Sequence, residues 1–246
     1  MLGALKENKN QQTGAGGDYV TIDGERCYVI RNVDQMKSFF ISVVSSGNHW
    51  LFASSTGGLT AGRVSPATAL FPYVTVDKIH ESTPHTGCVT LIREYSDNTL
   101  RLWEPFNRQH FGRYEISRNL YKNLLGNKLC FEEINHDLQL AFRYTWSTSD
   151  EFGFVRRCTL ENLDNSARSL EVLDGLQNIL PAGTPSQTQS TASNLVDAYK
   201  WTEIDAATGL ALFALYSGIS DRAEPCESLR ANTVFSLGLD ASAILL

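Results

Sequence analysis

Residues 128–166 read KLCFEEINHDLQLAFRYTWSTSDEFGFVRRCTLENLDNS, and this stretch decides the fold class. From Leu138 to Trp146 every second residue is large and apolar, whereas the residues between them are small or polar. Side chains of a β-strand point alternately to opposite faces, so one face of this segment is predicted to pack on a core. Turn-prone tripeptides at 135–137 and 164–166 bound the strands. We therefore predict three consecutive long strands between residues 128 and 181, paired antiparallel in an all-β sandwich.

Composition limits the class of protein. The chain has 246 residues, of which 42% are hydrophobic, and a chain of this size buries roughly three quarters of its extended surface without a disulfide or a metal. It can form one large all-β domain or two ordinary ones. The net charge is −6, and basic residues do not cluster beyond pairs such as Arg156-Arg157. Because nucleic-acid binding requires a basic surface, we expect no nucleic-acid partner.

The cysteine pattern and the lack of long apolar runs indicate the cellular compartment in which the protein is expected. The cysteines are odd in number, widely spaced and never in a CxxC pair; they are Cys27, Cys88, Cys130, Cys158 and Cys226. This pattern predicts reduced, mostly buried thiols rather than a disulfide framework or a zinc site, and we expect no metal or cofactor. The start of the chain lacks the apolar core of a signal peptide. No apolar run approaches the ~20 residues of a membrane span, so a soluble, cytoplasmic protein without a membrane partner is expected.

Turn signals divide the rest of the chain into further hairpins. An Asp-Gly pair at 23–24 is the strongest short hairpin signal, and it joins predicted strands at 19–22 and 26–30. Other predicted strand pairs are 39–44 with 50–54, 89–93 with 100–106 (joined near Asp97-Asn98), and 119–125 with 128–134. Two later strands are predicted at 209–216 and 233–237.

Four segments do not have a strand pattern. Residues 1–17 are polar and predict a flexible tail. Residues 56–73, TGGLTAGRVSPATALFPY, are expected to form a long irregular loop, and loops of this length in compact domains are usually functional or disordered. Residues 181–194 are expected to be a connection or an extended surface segment, with Ser193-Asn194 capping a short helix through Lys200. We predict one domain over residues 18–246, and the apolar end SAILL suggests the amino-terminal part of a longer chain.

Several phrases carry a family resemblance. The most specific is CTLENLDNSARSLEV (158–172) within GFVRRCTLENLDNSARSLEVLDGLQNILP; weaker ones are FFISVVSSGNHWLFASSTGGLTAGR (39–63), ALFPYVTVDKI (69–79) and LWEPF (102–106). From about Tyr28 to about Phe235 the chain resembles the amino-terminal β-domain of cellobiose-phosphorylase-like proteins, glycoside hydrolase family 94.

The resemblance implies a fold and a role. The implied fold is a β-supersandwich of the galactose-mutarotase type, with two large antiparallel sheets and one or two short helices. In that family the domain precedes an (α/α)6 barrel, which carries the catalytic aspartate and most of the phosphate site. Inorganic phosphate is the co-substrate that cleaves a β-glucosidic bond. This chain has no run of amphipathic helices for such a barrel, so no catalytic residue is carried over.

Candidate acid–base groups are few. Glycosidases place two carboxylates across one bond, but Glu132 and Glu133 are neighbours on a strand and are predicted to point to opposite faces, with at least one of them solvated at the surface. Mutarotase-like epimerases use a histidine with a carboxylate. The histidines match no motif, and His136 is expected to be a turn residue; the others are His49, His80, His85 and His110.

The strongest binding candidates lie in and near the 56–73 loop. Gly57, Gly58 and Gly62 would permit close backbone approach, and Arg63 offers a planar fork of donors for a carboxylate, a phosphate or vicinal hydroxyls. Asp77-Lys78 follows. These charged residues are candidates for the rim of a sugar site, and the alternative is that Arg63 and Asp77 form an ion pair for stability.

Two tryptophans are candidate sugar platforms. Trp50 and Trp103 stand beside the polar residues His49 and Glu104, as a stacking platform would require. The alternative for both is a place in the core, because aromatic residues are enriched in strands regardless of ligand. Trp146 continues an apolar face and is predicted to be core.

Three functional hypotheses follow. The first is a non-catalytic β-domain of a glycoside phosphorylase or glycosyltransferase, packed on its own carboxyl-terminal barrel and forming a homodimer. The second is a stand-alone module that binds an oligosaccharide or a β-glucoside. The third is an aldose epimerase, which rests on fold analogy.

Overall fold

A computed structural model describes residues 14–96, 99–108, 112–216 and 230–238. It confirms the all-β class: antiparallel sheets dominate, and the helices in these ranges are short. None of those helices combines the length and the apolar character needed to cross a membrane. Most of the predicted tail, the Asp97-Asn98 turn, His110, Cys226 and the SAILL end lie outside the described residues.

The strands follow the predicted hairpin order closely. In chain order they are β1 (Gly16–Ile22), β2 (Glu25–Arg31), β3 (Phe40–Val43), β4 (His49–Ser54), β5 (Leu59–Arg63), β6 (Ala69–Phe71), β7 (Gly87–Ser96), β8 (Thr99–Trp103), β9 (Ile116–Asn123), β10 (Leu129–Asn135), β11 (Leu140–Ser149), β12 (Gly153–Asn162), β13 (Leu170–Gln177), β14 (Lys200–Ile204), β15 (Ala211–Leu215) and β16 (Ala231–Val234). The α-helices are α1 (Val76–Glu81), α2 (Ser186–Thr191) and α3 (Ser193–Tyr199), and single 3-10 turns lie at Val33–Gln35 and Pro66–Thr68.

The chain divides into two compact units. The first contains the described residues of Met1–Leu59 and Val76–Gln177, and the second contains those of Thr60–Thr75 and Asn178–Leu246. Each unit contains antiparallel strands and buried apolar side chains.

A six-stranded antiparallel sheet forms the centre of the first unit, in the order β1-β2-β9-β10-β11-β12. Asp23 and Gly24 both have positive φ, 50° and 78°, which is the geometry that a two-residue hairpin turn requires between β1 and β2. β11 and β12 pair over their full lengths, from Leu140 opposite Asn162 to Ser149 opposite Gly153. The long hairpins that residues 128–166 predict are therefore confirmed.

One face of this sheet carries the core of the first unit. Leu140, Phe142, Tyr144 and Trp146 alternate along β11 and are at most 2% exposed, as the sequence pattern predicted. The ring of Phe131 on β10 stacks on Tyr144 at 4.9 Å. A second sheet, in the order β13-β7-β8, contributes to the same core through Trp103 of β8 and Ile92 of β7.

An ion pair links β12 to β13 within the first unit. The guanidinium of Arg156 donates to both carboxylate oxygens of Asp174, at 2.7 and 2.8 Å. It also lies 5.2 Å from the centre of the Tyr144 ring. The arginine side chain is 8% exposed, so this contact fixes the two sheets face to face.

The second unit contains the sheet β14-β15-β16 and the antiparallel pair β5–β6. Gln189 of α2 holds the segment around β6: its Nε2 donates to the carbonyls of Pro66 and Thr184 at 2.9 and 3.0 Å, and its Oε1 accepts from the backbone N–H of Tyr73 at 3.0 Å. The apolar centre of this unit includes Phe71, Val196 and Phe213.

Several segment predictions were wrong. Residues 56–73 are not irregular, because β5, a 3-10 turn and β6 lie within them. Residues 181–194 contain α2, whose Ser and Gln residues favour a helix no more than a loop, and β14 was not predicted. β1 begins at Gly16, inside the predicted tail, because Gly16 and Gly17 pair with Arg31 and Ile30.

Candidate functional site

Two adjacent carboxylates at the centre of the six-stranded sheet organise the candidate site. Glu132 and Glu133 lie in the middle of β10, which has strands on both sides. Their side chains go to opposite faces, as predicted, but both are buried, at 3% and 2% exposure. The expectation of a solvated carboxylate was wrong. Burial of two charges on an inner strand requires compensation by donors.

Glu133 receives three donors on the core face. Its Oε1 accepts a hydrogen bond of 2.8 Å from Nε1 of Trp103, and its Oε2 accepts from the backbone N–H of Phe106 and from Nε of Arg118, both at 2.7 Å. Trp103 comes from β8, Phe106 from the segment that follows it, and Arg118 from the neighbouring strand β9. The Glu133 carboxylate therefore links the six-stranded sheet to strand β8 of the second sheet and to the segment that follows β8.

Glu132 has an equivalent set of donors on the opposite face. Its Oε1 accepts from Nδ2 of Asn119 at 2.7 Å and from the hydroxyl of Tyr121 at 2.8 Å, and its Oε2 accepts from Nε of Arg143. Burial and, after it, the negative charge of Glu132 raise the pKa of Tyr121, so this phenol remains a donor at any physiological pH. Arg143 also bonds to Glu161 of β12.

These bonds make Glu132 and Glu133 structural groups rather than an acid–base pair. Each carboxylate is held by an arginine and by two further donors, and the two point away from one another across the sheet. The sequence contains a signal for this arrangement, although it matches no catalytic motif. In the hairpin register Arg143 stands opposite Glu132, and Arg118 stands opposite Glu133, and opposite charges on paired strands attract.

A cavity of about 330 Å³ opens beside β9 and β10 in the first unit. Arg118, Asn119 and Phe131 line it from the sheet, and the 3-10 turn at Val33–Gln35 and the segment after β8 form other walls. The remaining lining residues are Val33, Asp34, Met36, Ser38, Ser55, Thr56, Phe106 and Arg108. The cavity lining combines charged, hydroxyl and aromatic groups.

Buried polar groups hold two left-handed loop residues, Phe106 in the cavity lining and Asn32 next to the lining residue Val33. Asn32 and Phe106 have φ of 53° and 66°, in the left-handed region. The N–H of Asn32 donates to Oδ1 of Asn119 at 3.2 Å, and the N–H of Phe106 donates to Glu133. Left-handed conformations cost free energy for a residue such as phenylalanine and persist where the surroundings fix them. β9 and β10 thus preorganise two walls of the cavity.

The two candidate platform tryptophans occupy different environments. Trp103 is 2% exposed and bonds to Glu133, so its indole cannot stack on a sugar, and the core alternative is confirmed for it. Trp50 is only partly buried. Its ring stacks on Phe52 at 5.9 Å, and Phe52 lies 5.3 Å from Phe40. These three rings form a partly exposed aromatic row on the β3–β4 hairpin. Of the three residues, the sequence predicted only Trp50 as a sugar platform.

The charged candidates lie on exposed surfaces. Asp77 and Lys78 are exposed in the first turn of α1 in the first unit. Arg63 is exposed at the end of β5 in the second unit. Its carbonyl oxygen accepts a bond from the hydroxyl of Thr68, which closes the turn toward β6. None of the three lines the cavity.

Gly58, for which the sequence predicted a close approach to a ligand or a neighbouring domain, approaches helix α1 of its own unit. A Cβ on Gly58 would lie 2.2 Å from the carbonyl oxygen of Ile79 in α1, so this approach of the loop to the helix requires glycine. The hydroxyl of Ser54 lies 2.8 Å from Nδ1 of His80. Ser54 is completely buried and also accepts from the N–H of Thr56, so this serine–histidine contact fixes the loop and presents no nucleophile to solvent.

Two other described histidines, His136 and His49, are also held by local contacts. His136 lies in the β10–β11 turn, as predicted, with Nε2 at 2.8 Å from the hydroxyl of Ser117. His49 is buried edge-on against Phe154 at 5.2 Å. Across the described ranges, no group of three or more His, Cys, Asp or Glu side chains is placed to hold a metal ion.

The described cysteines are free thiols. Burial raises the pKa of Cys88 and of Cys130 to about 11, so both are protonated at neutral pH. Cys27 is buried, whereas Cys158 is exposed, so the expectation of mostly buried thiols fails for Cys158. The thiol of Cys158 lies 3.4 Å from Oδ2 of Asp174, and a nearby carboxylate disfavours a thiolate.

Comparison with known proteins adds no relative. No protein-family model matches the chain, and no curated protein matches it at a significant level.

Proposed function

We propose that this chain is a non-catalytic β-domain of a carbohydrate-active enzyme that cleaves or forms β-glucosidic bonds. The observation that carries the proposal is the engagement of Glu132 and Glu133. Each accepts bonds from an arginine and two other donors inside the sheet, and a carboxylate held in this way stabilises the fold rather than transferring protons. The resemblance of residues 158–172 to the family 94 β-domain supports the assignment to carbohydrate chemistry.

The proposal includes partners that belong to the parent enzyme. A carboxyl-terminal (α/α)6 barrel would supply the general acid, and inorganic phosphate would be the co-substrate. The β-domain would support that barrel and take part in a homodimer. Exposed charges such as Arg63, Asp77 and Lys78 are candidates for the rim of the sugar site in the assembled enzyme.

The test is a turnover assay on the 246-residue chain. We expect no release of glucose or of a sugar phosphate from β-glucosides, with or without inorganic phosphate. Turnover that is lost in Glu132→Gln or Glu133→Gln, with folding intact by circular dichroism, would overturn the proposal. Turnover that survives both substitutions would place a catalytic group elsewhere in the chain and would also overturn it.

A second candidate, a stand-alone carbohydrate-binding module, is favoured by the aromatic row of Phe40, Phe52 and Trp50. Aromatic faces stack on the apolar faces of pyranose rings, and a row of rings suits an oligosaccharide. Phe40 is 42% exposed, so part of the row is accessible to a ligand. Under this proposal the chain alone binds a β-glucan oligosaccharide, and Trp50→Ala weakens the binding.

The matched control is Phe235→Ala, which removes an aromatic ring that is 43% exposed in the second unit. Phe40→Ala should weaken oligosaccharide binding as Trp50→Ala does, and Phe235→Ala should leave it unchanged. Titration calorimetry with a soluble glucan oligosaccharide measures the effect. Equal affinity of the wild type, Trp50→Ala and Phe40→Ala for the oligosaccharide would show that the aromatic row is not its binding site.

A further inference from the structure

The cavity beside β9 and β10 has the dimensions of a small-ligand site. Its volume, about 330 Å³, lies near the lower end of the ~300–1,000 Å³ that is usual for such sites. A ligand of about the size of a monosaccharide fills a space of this kind. All of its lining residues belong to the first unit.

The lining contains two arginines, and the charge of Arg118 is balanced by the buried carboxylate of Glu133. Arg108 and Arg118 border the cavity, and among the described residues that line it Asp34 is the only acid. Arg118 is held in place: its side chain is 11% exposed, and its Nε donates to Glu133. A guanidinium carries five N–H donors in a planar fork, so the terminal amino groups of Arg118 keep donors for an anion. Arg108 is exposed at the mouth.

Hydroxyl and aromatic groups complete the lining. The hydroxyl of Ser55 accepts from the N–H of Phe39 at 3.1 Å, which leaves its own hydrogen for a ligand oxygen. Ser38 supplies a further hydroxyl, and Phe106 and Phe131 supply apolar faces. The hydroxyl of Thr56 is bonded to Ser54, Thr83 and the carbonyl of His80. Glu133 fixes Phe106 in the lining, and Asn119 fixes Asn32 next to the lining residue Val33. These parts of the lining are therefore formed before a ligand arrives.

We propose that this cavity binds a monosaccharide-sized ligand with one anionic group, a carboxylate or a phosphate, beside its hydroxyls. The anionic group is placed between Arg108 and Arg118, because paired guanidinium groups bind planar and tetrahedral oxyanions strongly. The ligand hydroxyls meet Asp34 and the hydroxyls of Ser38 and Ser55. This binding site is separate from the aromatic row and does not depend on β-glucosidic chemistry.

Titration calorimetry of the whole chain with four probes tests the proposal. The probes are glucuronate, glucose 6-phosphate, glucose and inorganic phosphate. We expect at least one of the two anionic sugars to bind about tenfold more tightly than both glucose and inorganic phosphate. The preference between glucuronate and glucose 6-phosphate identifies the anionic group.

Two arginine substitutions locate the bound anion. Arg108→Ala removes an exposed side chain, and Arg118→Lys keeps a cation beside Glu133 but removes the planar fork. Each substitution should weaken the binding of the anionic sugar by about tenfold and leave the affinity for glucose unchanged. Arg157→Ala, which removes an exposed arginine of β12, is the control and should bind as the wild type does.

Circular dichroism melting confirms that each variant is folded, and Arg108→Ala tests the site even if Arg118→Lys unfolds. The proposal is overturned if neither anionic sugar binds at millimolar concentration. It is also overturned if inorganic phosphate binds as tightly as the sugars, or if Arg108→Ala and every folded Arg118 variant bind like the wild type.

Discussion

The indole Nε1 of Trp103 donates a hydrogen bond of 2.8 Å to Oε1 of Glu133, and both side chains are buried. The bond joins β8 to the central strand β10 inside the first unit. Trp103, one of the two tryptophans considered as a sugar platform, is therefore a structural donor, and Glu133 is its structural acceptor. The two residues therefore have to be tested together.

A double-mutant cycle of Trp103→Phe and Glu133→Gln measures this bond. Trp103→Phe keeps most of the ring packing but leaves Glu133 with one donor fewer, which we expect to cost about 1–3 kcal/mol of unfolding free energy. The coupling energy of the cycle should be at least ~0.5 kcal/mol, as for other contacting pairs. Urea unfolding followed by fluorescence provides the free energies.

Trp50→Phe is the control for Trp103→Phe. Trp50 is partly buried and stacks on Phe52, so a phenyl ring preserves most of its contact. Trp50→Phe should therefore lose less unfolding free energy than Trp103→Phe. Equal losses in the two variants would contradict the structural role of the Trp103–Glu133 bond.

Removing the Glu133 carboxylate should be among the most damaging single changes in the first unit. Glu133→Ala leaves the largely buried Arg118 without its counter-ion and also frees the donors of Trp103 and Phe106. Breaking a buried pair in this way costs roughly 3–5 kcal/mol. Chemical denaturation of the variant measures the loss.

Glu171→Ala is the matched control, because Glu171 pairs with Arg93 at 3.3 Å on the surface, where both side chains are about half exposed. Surface pairs of this kind contribute roughly 0–1 kcal/mol. A loss for Glu133→Ala that is no larger than the loss for Glu171→Ala would show that the buried network does not hold the sheet.

The sequence predicts the strands well where one face is apolar and the other polar. The alternation at Leu140, Phe142, Tyr144 and Trp146 fixes β11 and its partners, because a shift by one residue would expose every large side chain. The pattern fails at β5, where Leu59, Thr60, Ala61 and Gly62 are all buried. A strand covered on both faces and built from small residues shows no alternation, so it resembled a loop.

The candidate site could be predicted only in part. Arg118 and Arg143 face Glu133 and Glu132 across paired strands, and that register follows from the hairpins. By contrast, Trp103 and Phe106 contact Glu133 although they lie far from it in the sequence. The backbone is left-handed at Phe106 in the cavity wall and at Asn32 beside it. Tertiary contacts determine both the hydrogen bonds to Glu133 and the left-handed backbone at the cavity, and no local sequence pattern predicts either.

Asp164 provides a test of electrostatics in the turn after β12. Hydrogen bonds from Arg168 and, after it, from Ser166 lower the pKa of the Asp164 carboxyl from 3.8 to about 2. Because the folded pKa is depressed, the stabilisation by this carboxylate is present above the unfolded pKa and is lost as pH falls through the folded one. An NMR titration of the Asp164 side chain should therefore have its midpoint near 2.

Arg168→Ala should raise the pKa of Asp164 toward its ordinary value, and Ser166→Ala should raise it less, in the order of the two causes. Arg168 also bonds to Glu94 at 2.7 Å, so circular dichroism is needed to confirm that the variant is folded. A folded Arg168→Ala with an unchanged midpoint would show that the arginine does not set this pKa.

Gly58 tests the close approach of the loop before β5 to α1. In Gly58→Ala the new Cβ would lie 2.2 Å from the carbonyl oxygen of Ile79 and 2.6 Å from the hydroxyl of Ser82, so backbone must move, at a cost of about 1–3 kcal/mol. Gly175→Ala in β13 is the matched control, because a Cβ there meets no atom within 4 Å. Alanine in a strand interior is no worse than glycine, so Gly175→Ala should melt at or above the wild-type temperature and Gly58→Ala several degrees below it. Equal melting temperatures for the two variants would mean that the loop and α1 are not in contact at Gly58.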